Sequence, residues 1–166
     1  EIGAIQPMMK LAFLYMTDQA IIDRDISLFW ASAAADDFHQ HGYGFLGNEL
    51  TNPHEDQSRF AEGMAFLQIA HEMGDEVASY NLGRLFYWGS NSSIKNRKLA
   101  ADYYDHAAKK GHKSAMHNLG CMFYDGDGVK QDRYLGNKLI EDAKEPADDL
   151  PCEKLPKNVI KLRKKG

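Results

Sequence analysis

Cysteine is scarce in this sequence. Two occur, Cys121 and Cys152, with no CxxC pair and no regular spacing. That pattern encodes neither a zinc module nor a disulfide framework, and it fits any compartment. No apolar run reaches the length of a membrane-spanning helix, so no membrane span is expected. Sustained alternation of apolar and polar residues is missing too, which removes the main signal for strands. The net charge is only -4, so no global field argues for nucleic acid or an acidic lipid surface as partner.

The charge is unevenly placed. Residues 1–75 hold three basic and twelve acidic side chains, whereas residues 76–166 hold seventeen basic and twelve acidic. An acidic end and a mildly basic end can steer a partner, or can be ordinary surface composition.

What the sequence does have is an internal repeat. The segments KLAFLYM (10–16), FLGNEL (45–50), NLGRLFYWG (81–89) and NLGCMFYDG (118–126) superpose. In each, a small residue follows a leucine: Ala12, Gly47, Gly83 and Gly120, at intervals of 35, 36 and 37. A second column runs beside it, with Trp30, Phe66, Tyr103 and Leu139 each followed four residues later by Ala34, Ala70, Ala107 and Ala143. Two independent columns with one period mark a repeat architecture.

Each segment has helical periodicity. In LAADYYDHAAKK, apolar residues stand at 99, 100, 103, 104, 107 and 108, the spacing of an amphipathic helix. Gly74 and Gly111 stand where a helix C-terminal cap favours glycine. Gly83 and Gly120 fall inside helices, at a cost of about 1 kcal/mol against alanine, which close approach of two helices would explain. The spacing therefore predicts helix pairs at 8–18 with 24–37, 39–50 with 56–73, 76–88 with 96–110, and 113–124 with 131–143. One hairpin cannot bury its apolar face alone, so the expected fold is an all-α solenoid, a right-handed superhelix of about four helix-turn-helix repeats over residues 1–143. Residues 144–166 differ, with Pro146, Pro151 and Pro156 followed by NVIKLRKKG. They are expected to close the end of the stack with a short helix near 157–165, because Val159, Ile160 and Leu162 need a surface; a basic tail is the alternative.

The stretch AADYYDHAAKKGHKSAMHNLGCMFYDGDGVKQD (100–132) resembles the Sel-one-like repeat. The matching residues are Ala107, Ala108, Gly111, His112, Ala115, Leu119, Gly120, Tyr124, Gly126, Gly128, Val129 and Asp132. The preceding unit keeps Ala70, Gly74, Ala78, Leu82, Gly83, Tyr87 and Gly89 but has the loop SNSSIKN in place of Gly-Val. The second unit keeps Leu46 and Gly47, and the first is recognisable through spacing, Trp30, Ala33 and Ala34. The resemblance implies a tetratricopeptide-like fold and a role as an adaptor, assembly factor or inhibitor of another protein. An immunity-type inhibitor of a specific effector enzyme is the narrower alternative.

Catalytic and metal chemistry find little support. DGDGVKQD (125–132) lacks the ligand and glycine at the fifth and sixth positions of a calcium loop, where Val129 and Lys130 stand. His39 and His41 are two apart, and His112 and His117 five apart, so neither pair shares a helix face. Cys121 and His117, four apart on one helix, are neighbours; a reactive thiolate-imidazole pair is one reading and helix packing the stronger one. No catalytic residue, metal or cofactor is expected, and a hydrolase using the groove is the rival of another class.

The first helix of each pair is expected to line the concave side. Offsets of -3, +1, +4 and +5 from the glycine column define one face: Gly44, Asn48, Thr51 and Asn52; Tyr80, Arg84, Tyr87 and Trp88; His117, Cys121, Tyr124 and Asp125. Tyr87 and Tyr124 are expected to pack between repeats. Asn48, Tyr80, Arg84, Trp88, His117 and Cys121 are the candidate contacts for a partner protein, since tyrosine, tryptophan and arginine dominate interface energetics.

Overall fold

A computed structural model describes Ala31, Ala33 and residues 40–52, 59–89 and 94–144. Six helices lie fully within that range: α1 (Gln40–Leu50), α2 (Phe60–Glu72), α3 (Glu76–Trp88), α4 (Arg97–Lys109), α5 (Lys113–Asp125) and α6 (Arg133–Ala143). No strand occurs among the described residues. The expected first pair, at 8–18 and 24–37, lies outside the described residues apart from Ala31 and Ala33, which are helical. The 144–166 segment lies outside them from residue 145 onward.

Helices α1 with α2, α3 with α4 and α5 with α6 form three hairpins, joined by α2 on α3 and α4 on α5. First helices also meet across units, with α1 against α3. The result is an α/α solenoid.

The hairpin starts and stops follow from local chemistry. At the end of α4, Gly111 takes φ +93. Its N–H donates to Ala108 O (2.9 Å), and the His112 N–H donates to Ala107 O (3.1 Å). This left-handed glycine cap satisfies carbonyls that a helix end leaves open. His112 then begins α5, its Nδ1 accepting from the Ala115 N–H at 3.2 Å. The same device stands one unit earlier, where Asp75 accepts from the Ala78 N–H at 2.8 Å. Asn96 and Asp132 cap α4 and α6 through Leu99 and Leu135. Adjacent residues, Gly111 and His112, thus close one helix and open the next, which keeps the turn short.

The core is built from small side chains. Ala70, Ala107 and Ala143 are fully buried, so the alanine column is an inter-helix seam. The main cluster joins α4 to α5 through Ala100, Ala101, Tyr104, Ala107, Ala108, Ala115, Leu119 and Met122. The interior glycines are contact points, as the repeat predicted. A Cβ on Gly83 would stand 2.6 Å from the Tyr104 ring, and one on Gly120 would stand 2.8 Å from Gly136 O and Ile140 Cγ1. A third such crossing pairs Gly47 with Leu67 at 2.6 Å.

Candidate inner-face binding site

Tyr80 organises the side of α3 that the repeat offsets single out. Its ring lies on the His112 imidazole, with centroids 4.3 Å apart and planes inclined by 21°. The Arg84 guanidinium sits 5.9 Å from the same ring's centre, a cation-π arrangement. One turn further, Trp88 is 51% exposed and rests edge-on against Tyr87 at 5.2 Å. Tyr80, Arg84 and Trp88 follow at intervals of four, so they form a stripe along one side of α3. Asn48 is exposed on the neighbouring α1, and its side chain reaches Glu49 Oε1 at 3.4 Å. Tyr80 and Arg84 also engage further partners.

Tyr87 and Tyr124 pack, as their place in the repeat implied. The Tyr87 hydroxyl donates to Asp127 Oδ2 at 3.0 Å. Arg97 lies 3.5 Å over the Tyr87 ring centre and 3.1 Å from the same carboxylate oxygen. Burial first, and then the bond to Asp127, push the Tyr87 hydroxyl above the usual phenol range. The DGDG loop therefore uses Asp127 to latch the α5/α6 hairpin onto the α3/α4 hairpin. Among the described residues no three His, Cys, Asp or Glu side chains group as a metal site.

Two candidates need correction. His117 and Cys121 share the offsets of Tyr80 and Arg84 but are buried rather than open. Cys121 is disulfide-bonded and packs with Tyr124 and Ile140. Its Sγ does approach His117 Nδ1, at 3.7 Å, as the spacing of four requires. A sulfur held in a disulfide is no thiolate nucleophile, however. Thr51, at an inner-face offset in α1's unit, is also buried, its hydroxyl donating back to Gly47 O at 2.8 Å.

A polar seam on the other side escaped the sequence reading. His71 Nδ1 meets Ser79 Oγ at 2.9 Å, and the Ser79 hydroxyl donates to Asp75 O at 2.8 Å. The His71 ring lies edge-on to Tyr103 at 5.0 Å and to His106 at 4.6 Å. Burial lowers the His71 pKa below the ordinary histidine value; His106 and Lys110 push the same way, and Glu72 opposes them. Nearby, Asp75 Oδ2 takes a hydrogen bond from His41 Nδ1 at 2.5 Å, tying α1 to the start of α3. Histidines 30 to 35 residues apart in sequence show no motif; only the repeat register brings them together.

With this geometry in place, comparison with known proteins is decisive. The Sel1 repeat profile matches residues 8–37, 77–112 and 113–143. The chain belongs to the Sel1 repeat family. Residues 38–76 fall outside the matched stretches, yet α1 and α2 form a hairpin of the same kind there. A Sel1 repeat protein from Oxalobacter formigenes is similar in structure, with a TM-score of 0.74 and 22% identity over 86% of this chain and 58% of that one. The protective antigen c5321 of uropathogenic Escherichia coli, which displays an SLR fold, gives a TM-score of 0.70 and 19% identity, covering 98% of this chain and 36% of that one. In sequence, 88 residues are 28% identical to the ERAD-associated E3 ubiquitin-protein ligase component HRD3A of Arabidopsis thaliana. That match covers 53% of this chain and 13% of the plant protein, and HRD3B matches similarly. The chain therefore corresponds to a small part of these relatives. Sel1 repeat proteins generally serve as protein-interaction scaffolds and are typically non-catalytic. No helix among the described residues is long and apolar enough to cross a membrane.

Proposed function

We propose that this chain binds a partner protein along the inner face of α1 and α3, with Asn48, Tyr80, Arg84 and Trp88 as contacts. The stripe of Tyr80, Arg84 and Trp88 carries the reading. It sets a large exposed indole beside a guanidinium ordered over an aromatic ring. A ring already held by His112 loses little freedom on binding, and arginine offers a planar fork to carboxylates or backbone carbonyls. The partial match to a subunit of a ubiquitin-ligase assembly supports a role within a complex.

The experiment is capture of the partner from the native source, followed by isothermal titration. Arg84→Ala and Trp88→Ala are each expected to weaken binding by about 1–3 kcal/mol, the range of a genuine interface anchor. Melting temperatures should stay nearly unchanged, since exposed positions shift stability by less than about 0.5 kcal/mol. Unchanged affinity in both variants moves the binding surface elsewhere. A captured enzyme whose activity falls in proportion to added chain would narrow the reading to an immunity-type inhibitor.

A further inference from the structure

The two junctions between the described hairpins are held differently. The α3/α4 hairpin meets α5 through an apolar cluster that includes Tyr104, Ala107, Leu119 and Met122, with the Tyr87–Asp127 bond beside it. The α1/α2 hairpin also has apolar backing, from Leu67 and Ala70 against Ala78 and Leu82. Its polar contacts to α3 and α4, however, run through histidines. His71 of α2 bonds to Ser79 of α3, and its ring meets that of His106 on α4.

The hydrogen bonds fix where a further proton would go. Ser79 gives its one hydroxyl proton to Asp75 O, so its Oγ accepts from His71 Nδ1–H. In neutral His71 the lone pair is then on Nε2, and acid adds its proton there. Among the described residues no acceptor is hydrogen-bonded to that nitrogen. The surroundings on α4 oppose the charge. His106 stands 4.6 Å away, centre to centre, its Nε2 buried without a hydrogen-bond partner among the described residues. Lys110 acts in the same direction, from a place where its Nζ donates to Gly74 O at 2.6 Å. Tyr103 presents a ring edge and gives its hydroxyl proton to Gln68. On α3, His71 meets the neutral Ser79 hydroxyl, while the Asp75 carboxylate is engaged by the Ala78 N–H and by His41. Glu72, on α2 itself, acts the other way and takes a hydrogen bond from Gln68.

We propose that this junction is an acid-operated hinge: protonation of His71, and of His106 beside it, parts α2 from α3 and α4 while each hairpin stays folded. Two facing imidazolium rings next to Lys110 repel one another in the closed seam, and opening lets water solvate both. The crossings inside the hairpins, Gly47 on Leu67 and Gly83 on Tyr104, involve no histidine. His41 acts in the opposite sense, because its protonated ring gains an ion pair with Asp75. That contact keeps α1 on the start of α3, so the movement is a rotation about α1 rather than a detachment. The hinge lies between Asn48 on α1 and the Tyr80 stripe on α3, and it would set their spacing; that consequence rests on the inner-face reading, whereas the hinge does not.

The test is nuclear magnetic resonance of the full chain at about pH 7.5 and about pH 5.5, either side of the ordinary histidine range. It needs no partner, so it stands or falls apart from the inner-face reading. At the higher pH, cross-peaks should connect the Tyr103 ring to α2. At the lower pH these should be lost, while those from Leu67 to Gly47 and from Tyr104 to Gly83 persist. The doubly substituted His71→Gln, His106→Gln chain, with His41 and His112 intact, should keep the Tyr103 cross-peaks at both values. If that variant folds poorly, the wild-type titration decides: proton uptake by His71 and loss of the cross-peaks should share one midpoint. Cross-peaks retained at the lower pH overturn the hinge. So does their loss together with those inside the hairpins, which is general unfolding, or their loss in the double variant, which places the effect on other groups. Separate midpoints overturn it as well.

Discussion

His112 stacks on Tyr80 while its Nδ1 accepts the Ala115 N–H. One imidazole thus caps α5 and docks α5 onto α3. Loss of the cap alone costs about 1 kcal/mol, and an aromatic contact adds about 0.5–1.5 kcal/mol. His112→Ala is expected to lose both, and His112→Asn only the contact, since asparagine also caps. Urea unfolding should therefore rank wild type above His112→Asn above His112→Ala. Equal stability of the two variants would show that the cap contributes nothing.

The interior glycines give a test with opposite signs. In an open helix, leucine is favoured over glycine by roughly 0.5–1 kcal/mol. At Gly83 and Gly120 the added Cβ alone would stand within 3 Å of Tyr104 or of Gly136 and Ile140. Overpacking of this kind costs about 1–3 kcal/mol. Gly83→Leu and Gly120→Leu should each lower the melting temperature. A rise at either site would remove the close crossing from the account of the repeat.

His71 sets a pH dependence. Its folded-state pKa is lowered, by burial first and then by His106 and Lys110. The unfolded chain thus takes up a proton more readily than the folded one. Stability from this group is present above about pH 6.5, and is lost as the pH falls from there through the lowered folded pKa. Denaturation midpoints should drop as the pH goes from neutral towards 5. The drop should be smaller in His71→Gln, whose amide can still reach Ser79 but does not titrate. An unchanged slope would place the effect on the other histidines.

The sequence made the hairpins legible because the fold is periodic. The glycine and alanine columns repeat at the spacing at which helices cross, so they predicted α1 to α6 to within four residues at each end. Position in the stack was not legible. Tyr80 and His117 hold the same offset, but Tyr80 faces a following hairpin while His117 sits on the last described one and is buried there. Residue type cannot tell an open face from a covered one. The same limit hid His71 and His106, which meet only across the seam between hairpins. Asp75 and His112 were readable as cap residues beside Gly74 and Gly111, and that signal went unused.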